Sequence, residues 1–446
     1  MQQPNAEEIS TITSVYPLGC LAGCILISVI GMRLGRRLSI VLGCALIVIG
    51  GSLQAGSVSQ AMIIVSRVIA GAGTGMTSTC IPMWISETSP AKTRGRDVAL
   101  QLLLVLSGNV TAYWFDYGMI IHHTGQVVWR FPVAFQCFYA LLGGLIILFL
   151  PESPRVLYGW QRVKEADDTL LRLLDCTPND ESFIVGRQEI LDAMEMESNQ
   201  EEGQSLWRSL LWDTSKVHNS RLVDLQLQAI TYYQTTLMSD AIGLDAHMAS
   251  LMGVSYNVNT LFLGTFPPVL LIERLGRRLL LIGGAVGTSL AMIAFTVAVK
   301  YAPGNPAVGW FGVSMIFLYE FIFACSWNCV VWVYAPEISP FKFRHINTAA
   351  GVATEWLFTF VTVKITPIGI ASLGWRFFII FVVFNVLQAV FAYFFCPETK
   401  GATLEEIDYM FCRTGLLEEP VEEIIDPTQT LATEQKGTSN DEVGQI

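Results

Sequence analysis

Eleven stretches of about twenty mostly apolar residues constrain this 446-residue chain more than any other feature of its sequence. A helix needs roughly 20 such residues to cross the hydrocarbon core of a bilayer. Strands with open edges would leave their backbone groups unpaired in lipid, so each stretch is expected to form a helix. The stretches are 12–32, 39–57, 61–84, 98–119, 128–150, 221–239, 248–272, 279–299, 310–334, 346–370 and 375–396. The sequence therefore predicts an all-α integral membrane protein.

Charge is scarce in this chain and concentrated in two segments. Only 15% of the residues are charged, whereas soluble domains carry about 25%. The net charge of −11 comes from 151–220, with 14 acidic and 7 basic residues, and from 397–446, with 12 acidic and 3 basic residues. The remainder is mildly basic in its short loops, as is typical of membrane spans. A lipid bilayer is thus an expected partner, and nucleic acid is not.

The spacing of the cysteine, histidine, serine and aspartate residues indicates neither a cofactor site nor a catalytic site. Ten cysteines occur singly, without a CxxC or histidine-rich pattern, so we expect no metal and no other cofactor. Serine, histidine and aspartate are not arranged as in nucleophilic catalysis, and the chain is not expected to be an enzyme. The glycine-rich run 71–75 lies inside an apolar stretch, where small residues predict close helix packing rather than a dinucleotide loop.

Three motifs occur twice, in the same order. Arg-Leu-Gly-Arg-Arg-Leu lies at 33–38 and at 274–279, Glu-x-Ser-Pro-x3-Arg at 87–94 and at 337–344, and Pro-Glu-Ser at 151–153 with Pro-Glu-Thr at 397–399. A repeat of this kind predicts two structural halves of the same orientation, related by an axis along the membrane normal.

The excess of arginine in alternate loops predicts that these motifs face the cytoplasm. We expect an N-terminal bundle at 1–150, a cytoplasmic helical linker at 151–220, a C-terminal bundle at 221–396 and a cytoplasmic acidic tail at 397–446. The first half has one helix before its arginine motif and the second half has two. One N-terminal helix is therefore expected to be missing from a six-plus-six plan.

The repeated motifs, together with Ser66–Gly75, Pro82–Arg96 and Pro397–Ile407, resemble those of fungal sugar porters in the major facilitator superfamily. The resemblance runs from about residue 11 to residue 408. It implies a major facilitator fold of two six-helix bundles, here with about 11 transmembrane helices. It also implies transport of a monosaccharide or polyol by alternating access, with proton symport, by a monomer in the plasma membrane.

The resemblance implies a gating role for eight charged residues near the arginine motifs. Acid–arginine pairs of this kind can bridge the two halves when the cytoplasmic side is shut. The residues are Arg36, Arg37, Glu87, Arg94, Arg277, Arg278, Glu337 and Arg344. The alternative is that these charges only set the topology and cap helices.

The resemblance also implies a sugar site between the halves. The candidate residues are Gln101, Tyr232, Tyr233, Asn259, Trp332 and Glu355. Trp332 matches the pocket tryptophan of the family without a gap, and packing at the interface is its alternative role. Gln101 precedes Leu102, the ungapped match to a sugar-contacting glutamine. Glu355 replaces a sugar-contacting asparagine.

Three acidic residues are candidates for proton coupling: Asp116, Glu320 and Glu355. Proton-coupled members of the family usually carry an acid in the first helix, which is the helix expected to be missing here. A carboxylate inside a membrane protein gains a higher pKa and can titrate near neutral pH. Internal pairing is the alternative role for each of them.

Two other functions stay open at this point. A nutrient sensor could use the same fold without transport, although the acidic tail at 397–446 is short for a sensor. An inactive, truncated form of a transporter is the second alternative. The missing helix supports it, and so does the loss of the Gln-Gln run that usually precedes the paired tyrosines Tyr232 and Tyr233.

Overall fold

The helices of the chain are the frame that positions its polar residues. The computed structural model describes residues 6–89, 94–200, 248, 251–253, 255–256, 258, 274–302, 305–328, 330–331, 334 and 344–400. The regular structure of these residues is helical throughout. The elements are α1 (Ala6–Ala55), α2 (Gln60–Thr88), α3 (Arg94–His122), α4 (Val127–Phe149), α5 (Pro154–Gly159), α6 (Val163–Leu174), α7 (Glu181–Gln200), α8 (Arg277–Tyr301), α9 (Pro306–Cys325), α10 (Arg344–Leu373) and α11 (Phe378–Phe395).

Most of the expected spans coincide with these helices. The described part of the chain contains seven segments that are long and apolar enough to cross a bilayer: Ser10–Gly31, Arg33–Ala55, Gln60–Ile85, Val127–Phe149, Arg277–Tyr301, Pro306–Cys325 and Ala349–Phe395. The last segment contains most of α10 and all of α11, joined by a 3₁₀ turn at Gly374–Phe377. The predicted span 98–119 forms α3, which carries Gln101 and Asp116 and is not among the seven.

Two predicted spans cannot be compared with the structure. The stretch 221–239 lies outside the described residues, and so does most of 248–272. Eight of the remaining nine stretches form helices, and 310–334 forms one as far as Cys325, where α9 ends. The described residues thus confirm the all-α fold class.

The first arginine motif lies at a kink rather than in a loop. The sequence suggested two spans separated by a polar connection at 33–38, but α1 continues through this segment. Its only non-helical residue is Gly35, with φ 78° and ψ 173°. Gly276, at the same position of the second motif, has φ 85° and ψ 167° and immediately precedes α8. Such positive φ angles favour glycine, because a side chain would be strained there.

Small residues allow α1 and α2 to pack with their backbones in contact. A Cβ atom added at Gly23 would lie 2.1 Å from the carbonyl oxygen of Ala72, and one added at Gly75 would lie 2.0 Å from that of Cys20. No larger side chain fits at such distances. The prediction that the run 71–75 serves helix packing is therefore confirmed.

The two halves meet along α10, which runs antiparallel to the first segment of α1. Lys364 lies beside Ser10 and Thr11, and Ala349 lies near Ile27 and Gly31. At the end that carries the arginines, Ile85 of α2 and Leu102 of α3 pack against a second-half cluster that includes Leu281, Trp327 and Tyr334. Both arginine motifs therefore lie at the same end of the bundle.

Candidate sugar site and arginine motifs

Arg36 and Glu87 form a buried ion pair at the end of α2. Nη2 of Arg36 lies 3.0 Å from Oε1 of Glu87, and Nε lies 3.2 Å from Oε2, so the guanidinium binds the carboxylate with two parallel hydrogen bonds. The two side chains are only 7% and 11% exposed. Burial acts to raise the pKa of Glu87, but the charge and hydrogen bonds of Arg36 outweigh it and lower that pKa below 4.5.

A second carboxylate caps the helix segment that begins after Gly35. Oε1 of Glu152 accepts the backbone N–H of Arg36 at 3.0 Å, and Oε2 accepts that of Arg37 at 3.1 Å. These are backbone donors that a helix leaves unpaired at its N-terminus. Glu152 also brings negative charge to the positive end of the helix dipole. A Cβ on Gly35 would lie 2.7 Å from Oε2 of Glu152, so glycine at this position also makes room for the carboxylate.

The second half repeats this arrangement with different residues. Glu398 accepts the backbone N–H groups of Arg277 at 2.8 Å and Arg278 at 3.0 Å. A Cβ on Gly276 would lie 2.5 Å from Oε2 of Glu398. Glu152 of Pro-Glu-Ser and Glu398 of Pro-Glu-Thr therefore have the same role in the two halves. Each caps the helix that starts in the arginine motif of its half.

The arginines and two aromatic residues extend the repeat to side-chain contacts. Arg37 donates to the carbonyl oxygen of Leu148, and Arg278 donates to that of Tyr393 at 2.7 Å. Nε1 of Trp84 donates to the carbonyl oxygen of Pro151 at 3.1 Å. The hydroxyl of Tyr334 donates to that of Pro397 at 2.9 Å. Trp84 and Tyr334 each lie three residues before the glutamate of their motif.

The Arg36–Glu87 pair differs from what the sequence suggested. Acid–arginine pairs were expected to bridge the two halves, but this pair joins α1 to α2 within the first half. The reason is that the Gly35 kink places the start of the second α1 segment beside the end of α2. Glu337 lies outside the described residues, and for Arg94 and Arg344 only the backbone, at the starts of α3 and α10, is described.

Two of the candidate sugar-binding residues can be placed. Gln101 lies on α3, and its Oε1 is buried without a hydrogen-bond partner among the described residues. Its neighbour Leu102 packs against the second half. Gln101 therefore lies close to the interface between the two halves, which is called the seam below. Glu355 lies on α10, near enough to Cys20 and Cys24 of α1 for its charge to act on their thiols. Tyr232, Tyr233, Asn259 and Trp332 lie outside the described residues.

The three candidate proton-binding acids lie in different surroundings. Asp116 is exposed on α3. Glu320 of α9 is 4% exposed and accepts a hydrogen bond from the hydroxyl of Tyr256, inside the core of the second half. Glu355 is partly exposed and faces the other half across the seam. Glu355 lies on α10, the helix that packs along α1 of the opposite half.

Several polar contacts of the seam were not expected from the sequence. Nζ of Lys364 donates to Oγ1 of Thr11 at 2.6 Å, and Nε1 of Trp356 lies 3.4 Å from Oγ of Ser78. Hydroxyl residues near a helix start carry no signal of their own in a single sequence. Lys364, a lysine inside an apolar span, is a signal that could have identified α10 as part of the interface.

Taken together, the helical spans, the repeated motifs and the central polar residues define an integral membrane protein of the major facilitator fold. The family model described as "Sugar (and other) transporter" matches residues 2–411. The chain belongs to that family.

Individual relatives agree with this assignment. The chain is 33% identical over 418 residues to the MFS-type transporter oryC of Aspergillus oryzae, covering 90% of this chain and 77% of that protein. It is 34% identical over 419 residues to the sugar transporter STL1 of Saccharomyces cerevisiae, covering 90% and 72%. Among solved structures, the proton:xylose symporter XylE bound to 6-bromo-6-deoxy-D-glucose superposes with a TM-score of 0.78 at 24% identity, covering 91% and 89%.

Proposed function

We propose that this protein carries a monosaccharide or a related polyol across a membrane by alternating access, coupled to proton symport. The family assignment to residues 2–411 supports a transporter of small solutes. The relative STL1 is named a sugar transporter, and XylE, which shares the fold, is named a proton:xylose symporter. We further propose that the protein works as a monomer in the plasma membrane.

The observation that carries the sugar proposal is the buried Oε1 of Gln101, which accepts no hydrogen bond from any residue that the structure describes. A buried amide oxygen without a partner costs free energy, and a ligand that donates a hydrogen bond removes that cost. Sugars and polyols present hydroxyl donors at closely spaced positions. Gln101 lies beside the seam that must open and close in alternating access, which is where a transported sugar binds under this proposal.

Glu355 is the proposed proton-binding group. A coupling acid must be reached from both sides in turn, and the seam between the halves is the place where that exposure alternates. Glu355 lies in this seam, whereas Glu320 is enclosed in the core of one half with Tyr256 as a partner. We assign Glu320 a structural role for this reason. Asp116 remains a weaker candidate, because it is exposed on α3.

We propose that the charged residues of the arginine motifs stabilise the resting conformation of the cytoplasmic side, where the two halves open and close. Arg36, Arg37, Glu87, Arg277 and Arg278 hold the inner ends of the helices in register within each half. Arg94, Glu337 and Arg344 are proposed to complete this network across the halves. Two halves that each move as a rigid body can rock against one another about the central site.

The test of the proposed function is uptake of labelled monosaccharides and polyols by transporter-deficient yeast cells that express the full chain. Uptake of at least one compound above the empty-vector level, stimulated by an inward proton gradient, is the expected result. Gln101→Leu should raise the KM for that compound, and Glu355→Gln should remove the proton stimulation. Ser107→Ala and Thr354→Val are matched controls, because each hydroxyl bonds only to a carbonyl oxygen of its own helix among the contacts described. Surface expression without uptake of any compound would contradict the proposal.

A further inference from the structure

A pair of hydrogen bonds ties α10 to the start of α1 at the end of the bundle opposite the arginine motifs. Nζ of Lys364 donates to Oγ1 of Thr11 at 2.6 Å. In the opposite direction, Oγ of Ser10 donates to the backbone carbonyl oxygen of Lys364 at 2.9 Å. Ser10 is fully buried. One side chain of each half therefore bonds to the other half at the same point.

The position of this contact along the two helices indicates on which side of the membrane it lies. Ser10 and Thr11 follow the start of α1 at Ala6, and the arginine motif follows more than twenty residues later. Lys364 lies nine residues before α10 ends at Leu373. Because the arginine motifs are expected on the cytoplasmic side, the contact lies in the outer part of the membrane.

A lysine in this position needs an explanation, because charged side chains are costly within apolar spans and most often mark functional sites. Its neighbours on α10 are apolar or carry small hydroxyls. The amine instead reaches across to a hydroxyl of the other half. Hydrogen bonds between membrane helices are modest in strength, so a contact of this kind can hold a seam closed and still open during a transport cycle.

We propose that Lys364, Thr11 and Ser10 form a clamp that stabilises the closed outer seam between the two halves. The inference rests on the proposed alternating-access function, and it assigns Lys364 a positioning role rather than contact with the sugar. When the seam opens to the outside, α1 and α10 separate at this end and both hydrogen bonds break. Loss of the clamp therefore shifts the resting population towards the outward-open state.

The experiment measures opening of the outer seam without any sugar. Ser14 is 1% exposed and lies one helical turn below Ser10 on the same face of α1. A cysteine at this position (Ser14→Cys) reports opening through its labelling by a membrane-impermeant maleimide applied to intact cells. The same variants with Ser14 retained give the background from the ten native cysteines.

Lys364→Met removes the amine at similar length, and Thr11→Val removes the acceptor with little change in shape. Each should raise the labelling rate about three- to tenfold, the range that a single interhelical hydrogen bond in a membrane supports. The double variant should label no faster than the faster single variant, because both changes remove the same contact. Thr11→Val decides the question if Lys364→Met does not reach the cell surface.

Thr366→Val is the matched control, since Thr366 is buried on the same helix and its hydroxyl donates to Thr362 of α10 itself. Its labelling rate should equal that of the parent. Unchanged labelling in Thr11→Val, additive effects in the double variant, or an equal increase in Thr366→Val would each overturn the clamp. Faster labelling without any sugar uptake would support the clamp and contradict only the proposed substrate.

Discussion

The carboxylate of Glu152 accepts the backbone N–H of Arg36 at 3.0 Å, although 116 residues separate the two in the chain. Glu398 makes the same contact with Arg277 at 2.8 Å in the other half. Each contact joins the start of a helix to the segment that follows the last membrane helix of its half. The duplicated sequence motifs therefore correspond to a duplicated capping arrangement, and the cap can be tested separately in each half.

Replacement of either capping glutamate by glutamine should destabilise the protein. Glu152→Gln and Glu398→Gln keep the shape but remove the negative charge at a helix N-terminus, and each should lower the free energy of unfolding by about 0.5–2 kcal/mol. Denaturant unfolding of the purified protein in detergent measures the effect. Asp168→Asn is the control, because Asp168 is exposed and lies in the middle of α6 rather than in its first turn; a comparable loss in this variant would contradict the capping argument.

Alanine at the kink glycines should be costly in both halves. Gly35→Ala and Gly276→Ala place a Cβ at a positive φ and within 2.7 Å and 2.5 Å of a capping carboxylate. We expect a loss of about 1–3 kcal/mol in the free energy of unfolding for each. Gly108→Ala is the matched control, because its added Cβ would meet no heavy atom of the described residues within 4 Å; there the helix propensity of alanine predicts no loss. An equal loss of unfolding free energy at all three positions would show that the kink has no special need for glycine.

The Arg36–Glu87 pair should make stability depend on pH in the acid range. The pKa of Glu87 is lower in the folded protein than its ordinary value of 4.5. The unfolded chain therefore binds the proton first. The stabilisation is fully present above that ordinary value, and it is lost as the pH falls towards the folded pKa.

The measurement is the unfolding free energy from neutral pH to about pH 3.5, compared between the native chain and Glu87→Gln. The difference between the two proteins should shrink as the pH falls, because protonation makes the native glutamate resemble glutamine. A difference that is constant across this range would show that Glu87 does not titrate in it or that its charge does not matter. The comparison with a single variant removes the contribution of the other acids.

Tyr256→Phe should destabilise the second half without removing proton coupling. The change deletes the hydroxyl that donates to Glu320 in the core of that half, and a buried carboxylate that loses a donor costs about 1–3 kcal/mol. Thermal unfolding measures the loss, with Tyr301→Phe as a control at an exposed tyrosine. Proton-stimulated uptake should persist in Tyr256→Phe at a temperature where the variant is folded. Complete loss of proton-stimulated uptake in this variant would indicate that Glu320, rather than Glu355, binds the coupled proton.

Much of the fold was predictable from the sequence, because length and apolar content alone determine which segments can cross a bilayer. The arginine motif at 33–38 shows the limit of this reasoning. Polar residues between two apolar runs suggest a loop, yet only Gly35 leaves the helical conformation. The reason is that Glu152 supplies a cap from outside the helix, and a contact between residues so distant in the chain has no local signal.

The candidate site was less predictable than the fold. Gln101 and Glu355 were predicted from the resemblance to sugar porters and from the cost of polar residues in apolar spans, and both lie at the seam between the halves. The partner of Arg36 was expected in the other half, but the kink at Gly35 directs Arg36 to Glu87 instead. The partners of Lys364 could not be inferred, since serine and threonine near a helix start serve equally well as caps or as surface residues.

Entrance counterflow with the purified protein in liposomes tests the central claim most directly, because only a carrier that exposes one site alternately to the two sides can produce it. Liposomes are loaded with an unlabelled monosaccharide or polyol and diluted into a trace of the labelled compound. The account predicts a transient internal accumulation of label above the outside concentration for at least one compound, and little or none in protein-free liposomes. Binding of a sugar without counterflow, or equilibration without any overshoot, would contradict a carrier mechanism.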